Sequence, residues 1–541
     1  MSSPRVSAGR DYLSTGLMLK RHPDLEYDPT MHIALILDAS RLWRWHLTLV
    51  DLLSARADTR VSVAFSPVQR PLDPAVGLVL MLEASITKRA GVQPFEVLRP
   101  AAFDRWYRET QDACDLVIDL AALELGENPR TRTLVPLYNG VAGGSAFWSA
   151  ILDGKAPFLS ILDSIHGVIA VGQPAMEAPH ALGLSAGGVV TRVISGLLAA
   201  STGPAPTSTT PFLPDFGARA PGLTMAAANL LGRKVACKAR RFLDRQLASA
   251  PQWATAWRMR KAGFDPLAGG DLRLSEFKLL ADDGQRFFAD PFLFAQGDDI
   301  DVFVEELPYA TGRGIISVFT VRADGTATAP RPVLEAPHHL SYPHVFAHGG
   351  AIWMLPEGHA SGGLTLYRAT RYPDQWEAVA RIVDEPVHDA TLFEHGGRLW
   401  IAANTEGPAG ARWGSSWDSL SLFSAPTLFG PWTPHADNPV LIDAGSARPA
   451  GAVFSHKGAL YRPVQDCRGG YGIALGIAKI TRLDDADFAQ QMVARLAFAV
   501  GTGALGPHTL SRLDRAGGTF EAIDLFAPAR QLAAVGRGNQ G

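Results

Sequence analysis

The sequence is poor in cysteine, has almost no excess of either charge, and lacks a long unbroken apolar run. Only Cys114, Cys237 and Cys467 occur among 541 residues. Their wide spacing excludes a disulfide framework and a cysteine metal motif, and so few thiols suit a reducing compartment. Fifty Lys and Arg stand against 53 Asp and Glu, a net charge of −3. A dedicated nucleic-acid binder would carry a clear basic excess, so no nucleic-acid partner is expected. No apolar run reaches the roughly 18 residues of a spanning helix. Residues 1–30 mix Arg, Asp and Glu where a secretory leader would be apolar. The expected location is cytoplasmic. Hydrophobic residues at 47% and charged residues at 19% exclude wholesale disorder.

What is abundant is turn chemistry and aromatic surface: 53 Gly, 38 Pro and 12 Trp. These point to a β-rich region, and the chain divides accordingly. After an extension at 1–30, residues 31–200 alternate strands and helices. Met31–Leu37 is a continuous apolar run suited to a buried parallel strand, residues 42–56 are apolar at helical spacing, and Val61–Phe65 and Leu116–Leu120 supply further strands. That rhythm predicts a doubly wound, Rossmann-like α/β domain. Residues 201–271 read as a linker. It opens on a Ser, Thr and Pro-rich stretch and continues into a basic amphipathic helix carrying Arg233, Lys234, Lys238, Arg240, Arg241 and Arg245. Such a helix either packs between domains or lies on an anionic membrane face.

Residues 272–530, before a tail at 531–541, repeat a phrase. Asp290-Pro-Phe-Leu-Phe294, Tyr342-Pro-His-Val-Phe346, Asp389-Ala-Thr-Leu-Phe393, Ala450-Gly-Ala-Val-Phe454 and Thr509-Leu-Ser-Arg-Leu513 align, their last residues separated by 52, 47, 61 and 59 positions. Turns and second strands follow, as in Gly349-Gly-Ala-Ile-Trp-Met354 and Gly396-Gly-Arg-Leu-Trp-Ile401. A β-rich unit repeating near every 50 residues predicts a five-bladed β-propeller around a channel.

The repeat also places polar residues where innermost strands begin: Asp290, Ser341 and His344, His388 and Asp389, Arg448, and His508. Second-strand ends add Glu305, Glu306, Glu357, Arg462, Gln465 and Asp466. Polar groups at the starts of buried strands are costly unless satisfied or lining a pocket, so their convergence marks a candidate site. Carboxylates facing one another across a channel are the equipment of glycoside chemistry. Trp353, Trp400, Trp413, Trp417 and Trp432 offer flat faces for sugar rings or fill the core between blades. Pro337-His338-His339 and His388-Asp389 either ligate a cation or are satisfied strand-end histidines; with no tight spacing motif the second reading is preferred, and no metal site and no cofactor are assigned.

These residues resemble known families. Asp290-Pro-Phe and Asp389-Ala-Thr-Leu-Phe resemble the first two acidic motifs of five-bladed glycoside hydrolase family 43 propellers. There the first Asp is the general base and the second tunes and orients the acid. Arg448, in Ala447-Arg-Pro-Ala-Gly451, stands where that family has its acidic Glu. Leu340-Ser-Tyr-Pro-His344, Met354-Leu-Pro-Glu-Gly358, Gly430-Pro-Trp432, Arg448-Pro-Ala-Gly451 and Arg462-Pro-Val-Gln-Asp-Cys467 with Tyr471-Gly472 resemble the propeller domain of glucosamine inositolphosphorylceramide transferases, over about 285–485. In the plant enzymes that domain precedes a glycosyltransferase domain, which is not expected after the last blade here. Leu137-Tyr-Asn-Gly140 through Gly143–Gly154 resembles the formyltransferase fold. The Asn-x-His-Pro-Ser motif is missing, so a degenerate formyltransferase-like domain used for binding or scaffolding is expected.

Three functions fit this reading. In the first, a sugar is transferred from a phosphorylated donor to a saccharide or membrane lipid-linked acceptor at the inner membrane face. Asp290 is then base or nucleophile, Asp389 positions sugar hydroxyls, and Glu357 is a second acid/base. Arg448, Arg462, His344 and His508 form a cationic cluster for phosphate, with Tyr342, His388, Gln465, Asp466 and Glu305 lining the substrate site. In the second, Glu357 replaces the missing acid of a hydrolase. In the third, the propeller binds glycan without turnover.

Overall fold

The structure, a computed structural model, describes residues 31–87, 94–108, 114–122, 131–202, 223–246, 251–281, 283–499, 506–515 and 517–528, with 504 and 532. The expected extension at 1–30, most of the Ser/Thr/Pro stretch, and nearly all of the expected tail lie outside the described residues.

The α/β layer is built on Met31–Leu37, whose Ile33, Leu35 and Leu37 are fully buried. It pairs in parallel with Thr59–Phe65 on one side and Leu116–Asp119 on the other, and the latter with Arg132–Tyr138. The doubly wound reading holds for that half only. Asn139 and Gly140 take positive φ (51° and 76°) and turn the chain back into Val141–Ala142, the hairpin geometry that Asn-Gly favours. Leu159–Asp163 and Gly167–Gln173 then add antiparallel, so the sheet is mixed. Helices α1 (Arg44–Ser54), α2 (Pro74–Thr87), α3 (Gly144–Leu152), α4 (Leu182–Ala200) and α5 (Leu223–Gln246) complete the layer. Helix α4 is long and apolar enough to cross a membrane, with mean hydropathy 1.5. However, 78% of that window is buried inside the molecule, and Arg192 within it is fully buried. Helix α5 is the basic helix foreseen in the linker. It docks on α2 and α3, where Arg233 donates to the Leu152 carbonyl and Lys234 pairs with Glu83. These two cations serve docking; the side chains of 240–246 lie outside the described residues.

The C-terminal region is a β-propeller. Among the described residues, four sheets stand apart. Sheet I runs outward from Arg286–Gln296, sheet II from Ser341–His348, sheet IV from Phe454–His456, and sheet V comprises Leu510–Arg515, Gly518–Pro528, Pro251–Lys261 and Lys278–Leu279. Group III, His388–His395 with Arg398–Asn404 and Ser419–Ala425, is antiparallel in the same way. It continues through Leu441–Asp443 into the α/β sheet, giving one 12-stranded sheet. Apolar clusters among the described residues lie between neighbouring groups of strands. Trp257 and Phe520 meet Val302 and Phe319 between V and I, and Phe303 and Val318 meet Val345 and Met354 between I and II. Leu355 and Leu366 meet Ile401 and Phe423 between II and III. Trp400 and Leu422 meet Ile480 between III and IV, and Leu475 and Ile477 meet Ile523 and Leu525 between IV and V.

Two findings depart from the expected boundaries. Pro251–Lys261, inside the expected linker, is an interior strand of sheet V and pairs along its whole length with Gly518–Pro528. The ring is thereby closed by its two sequence ends. Second, the α/β layer is welded to group III rather than tethered. Gly172, at φ 129°, lies so close to the partner strand that a Cβ there would stand 1.7 Å from the Ile442 carbonyl oxygen. Beside this junction Arg192 Nη2 meets Asp418 Oδ1 at 2.7 Å, both side chains fully buried.

Candidate functional site

Three consecutive innermost strands carry the same backbone device. Asp290, Tyr342 and Asp389 adopt φ of 51°, 44° and 51°, and the strand register slips at each of them. Left-handed conformations at non-glycine residues cost energy and recur where a side chain must be aimed. Here the kinks turn side chains toward the axis, where they meet partners from other sheets.

Asp290 is 4% exposed and fully engaged. Its Oδ1 accepts from Thr509 Oγ1 at 2.7 Å and lies 3.0 Å from His508 Nε2, while Oδ2 accepts from the Tyr342 N–H at 3.2 Å. Burial pushes the carboxyl up, but His508 and the Thr509 hydroxyl outweigh it and hold Asp290 below the usual range. His508 sits between two acids, with Nδ1 2.9 Å from Asp524 Oδ2. Burial opposes its charge, yet Asp524 and Asp290 raise it to about 10. Asp389 Oδ2 accepts from Arg448 Nε at 2.6 Å and from Gln465 Nε2 at 3.0 Å. Burial, reinforced by Glu357 and Asp290, pushes Asp389 up to about 8 against the pull of Arg448. Glu357 Oε2 accepts the Asp389 N–H at 2.9 Å, and its Oε1 faces His388 Nδ1 at 3.2 Å. His388 Nε2 in turn reaches Glu406 Oε1 at 3.2 Å. Burial raises Glu357, but the adjacent imidazoles pull it well below the carboxylate range.

The remaining expected site residues divide. Tyr342 is fully buried. Its hydroxyl accepts the Gly451 N–H at 2.6 Å and bonds Thr391 at 2.9 Å, so it ties sheet II to group III and the start of sheet IV. His344 Nδ1 accepts the Leu392 N–H at 3.1 Å, which requires a neutral ring, and burial lowers it to about 4. Glu305 faces His339 at 3.0 Å and is raised by burial to about 7. Arg462 is held by Gln490 and the carbonyls of Ser446 and Ala447, and burial lowers it to about 9. Asp466 pairs with Arg468 and Arg495 on its own sheet. Asp290, Glu357, His388, Asp389, Arg448, Gln465 and His508 therefore form one charged cluster, while the partners of Arg462 and Asp466 lie elsewhere.

Aromatic rings lie over this cluster. The Arg448 guanidinium is 5.2 Å from the Tyr471 ring centre, and Tyr471 packs beside Trp417, Trp253 and His508. Tyr471 is 37% exposed. Trp253 belongs to the closing strand and was not among the expected aromatic faces. Of those that were, Trp353, Trp400 and Trp432 donate their indole N–H to nearby carbonyls and pack between sheets or at turns. Beside the cluster a cleft of about 500 Å³ opens between α4 and the loop 406–416. Gly183, Ser185, Gly187 and Gly188 form one wall, and Trp413, Arg412, Glu406 and Ser416 the other. Glu406 touches His388, and Ser416 accepts from Arg448 Nη1 at 2.9 Å, so the cleft meets the cluster through two side chains. No repeat marks Glu406, Ser416 or His359 in the sequence, because loops between strands carry no periodic signal.

Comparison with known proteins gives two kinds of likeness. Glycoside hydrolase structures include a β-xylosidase, RS223, at TM-score 0.34 and 10% identity over 45% of this chain and 92% of its own. They also include Zg3597, a family 117 glycoside hydrolase of Zobellia galactanivorans, at TM-score 0.32 and 12% identity over 51% and 91%. In sequence, glucosamine inositolphosphorylceramide transferase 1 of Oryza sativa subsp. japonica is 35% identical over 205 residues, 37% of this chain and 27% of the rice protein. Its Arabidopsis thaliana counterpart is 34% identical over 37% and 26%. The chain thus spans about a quarter of the length of these relatives. Residues 278–500 match the family described as glucosamine inositolphosphorylceramide transferase 1, N-terminal, and over that propeller region the chain resembles these transferases.

Proposed function

We propose that this chain is a carbohydrate-active enzyme of glycan or glycolipid assembly, transferring a sugar from a phosphorylated donor where the cleft meets the charged cluster. The observation that carries this reading is Arg448: a buried guanidinium among carboxylates, under Tyr471, at the edge of a cleft large enough for a sugar. The curated relatives are transferases by name, which supports the same class. Group III is the fifth blade in this reading, supported by the apolar filling on both its faces. The formyltransferase-like α/β domain supplies the far wall of the cleft.

The chemistry follows from the charges. Asp290, held ionised, is base or nucleophile toward the sugar or acceptor hydroxyl. A phosphate leaving group needs no general acid when a cation stabilises the departing charge. Arg448 takes that part: its guanidinium passes from Asp389 to the phosphate as the bond from the sugar carbon to the phosphate oxygen breaks and the bond to the acceptor oxygen forms, the acceptor proton going to Asp290. Gln465 keeps Asp389 in place. Glu357, pulled far down, stays ionised and holds the Asp389 backbone. The acceptor is a saccharide or lipid-linked hydroxyl, reached from a peripheral position at a membrane face.

Nucleotide release from UDP-, GDP- and CMP-sugars, with and without glycolipid acceptors, tests this. Arg448→Ala is expected to lower kcat/KM about 100- to 1000-fold, with Arg448→Lys intermediate and thermal melting confirming that both variants fold. A second reading, glycan binding without turnover, is favoured by the pairing of every buried charge within the cluster. Glycan affinity without product, unchanged in Asp290→Asn, would establish it in place of the first.

A further inference from the structure

Four histidines crowd the turn after the second strand of sheet II: His338, His339, His359 and His388. Two of them converge on one carboxylate oxygen. Glu357 Oε1 lies 3.2 Å from His388 Nδ1 and 3.4 Å from His359 Nδ1, and the three atoms lie within 4.8 Å of one another. Donors bound at about 2.0–2.1 Å in a tetrahedron stand about 3.3–3.4 Å apart, so the 3.2 and 3.4 Å separations leave room for a zinc-sized ion between these groups. The surroundings fit as well. Glu357 Oε2 is fixed by the Asp389 N–H, which leaves Oε1 to the imidazoles. His388 Nε2 faces Glu406 Oε1, an outer carboxylate that would hold the Nε2 proton and leave Nδ1 to an ion. His359 is 42% exposed and Glu406 lines the cleft, so an ion has a way in.

A second trio, Asp290, His508 and Asp524, lacks these features. Its side chains are at most 6% exposed. Its carboxylates already accept from Thr509 Oγ1 and from the backbone N–H groups of Tyr342, Asp290, His508 and Thr509. It is a buried ion-pair network with His508 between two carboxylates, away from any exposed side chain of its own.

We propose that Glu357, His359 and His388 hold a divalent transition-metal ion, zinc in the first instance, at the edge of the cleft, with Glu406 positioning His388. Two imidazoles and one carboxylate suit zinc and its first-row neighbours rather than magnesium or calcium, which take oxygen donors. Three protein donors leave a coordination position for water or a substrate oxygen, the arrangement of zinc sites that do chemistry. The site is independent of which sugar chemistry the cluster performs.

The test uses the tag-free full chain, stripped with a chelator and titrated with Zn²⁺. One equivalent is expected to bind, Co²⁺ substitution is expected to give the visible absorption of a low-coordinate site, and Mg²⁺ and Ca²⁺ should not compete. Glu406→Gln is expected to weaken zinc about 10- to 100-fold through His388. His359→Ala, at a part-exposed turn, should lose at least as much while circular dichroism stays unchanged. Absence of stoichiometric zinc binding would overturn the site, as would an affinity indifferent to both His359→Ala and Glu357→Gln.

Discussion

His508 shows how a single buried side chain ties stability to pH. Its folded pKa of about 10 lies above the roughly 6.5 of an unfolded chain. A group raised in this way stabilises the fold fully below the unfolded value and loses that contribution as pH climbs through the folded one. The stability difference between wild type and His508→Gln is therefore expected to be largest near pH 6 and to shrink steadily toward pH 10. Urea denaturation at a series of pH values measures it; a difference constant across that range would mean that His508 is neutral in the folded state. Tyr342 makes the complementary point, because its hydroxyl serves the protein itself. Tyr342→Phe leaves the Gly451 N–H without its acceptor and the Thr391 hydroxyl with only its bond to the Asp389 carbonyl. The expected cost is about 1–3 kcal/mol, read as a lower urea midpoint. The aligned phrase brought out both Asp290 and Tyr342, but alignment shows only that two residues share a strand position. That one ends in an ion pair and the other in a bond across three sheets depends on neighbours 50 to 230 positions away, to which no local pattern points.

At the scale of elements, the junction between the α/β layer and the ring is held by backbone as much as by side chains. Gly172→Ala would drive a methyl group into the Ile442 carbonyl and force a φ of 129° on an L side chain. A loss of about 1–3 kcal/mol is expected, seen as early proteolysis between the two layers, while a variant as resistant as wild type would show that the pairing of 167–173 with 441–443 is dispensable. Legibility in the sequence follows the range of the forces involved. Innermost strands, Gly-Gly turns and the helix 223–246 are encoded over a few residues and are recognisable. The antiparallel return of Leu159–Asp163, the Arg192–Asp418 pair and the strand Pro251–Lys261 are set by partners 21 to 277 residues away. Pro251–Lys261 in particular sits just after the linker stretch, and only its pairing with Gly518–Pro528 makes it a strand of the ring. Trp253 was overlooked with it. The charged cluster was legible because the repeat placed its residues at one end of the blades; the cleft was not, because half of it belongs to another domain.

The whole molecule depends on that late pairing. A ring of sheets has no free inner edge once closed, and closure here is made by a strand from residue 251 onward bonded to one ending at 528. Ala256 lies in the middle of the seam, fully buried, opposite Ile523 on one side and Leu279 on the other. Proline there removes an N–H from an interior strand and clashes with its neighbours. Proline at Ala378, exposed on the outermost strand of sheet II and paired only with Tyr367, disturbs one edge. If the seam governs the fold, Ala256→Pro lowers the midpoint of a single cooperative transition for the whole propeller or prevents folding, whereas Ala378→Pro shifts it little. Trp253, three residues before the proline, reports the opening by fluorescence at the same time as the far side of the ring. Loss of the Trp253 signal at a lower urea concentration than the rest would instead mean that the seam frays locally and that each sheet holds by its neighbours alone.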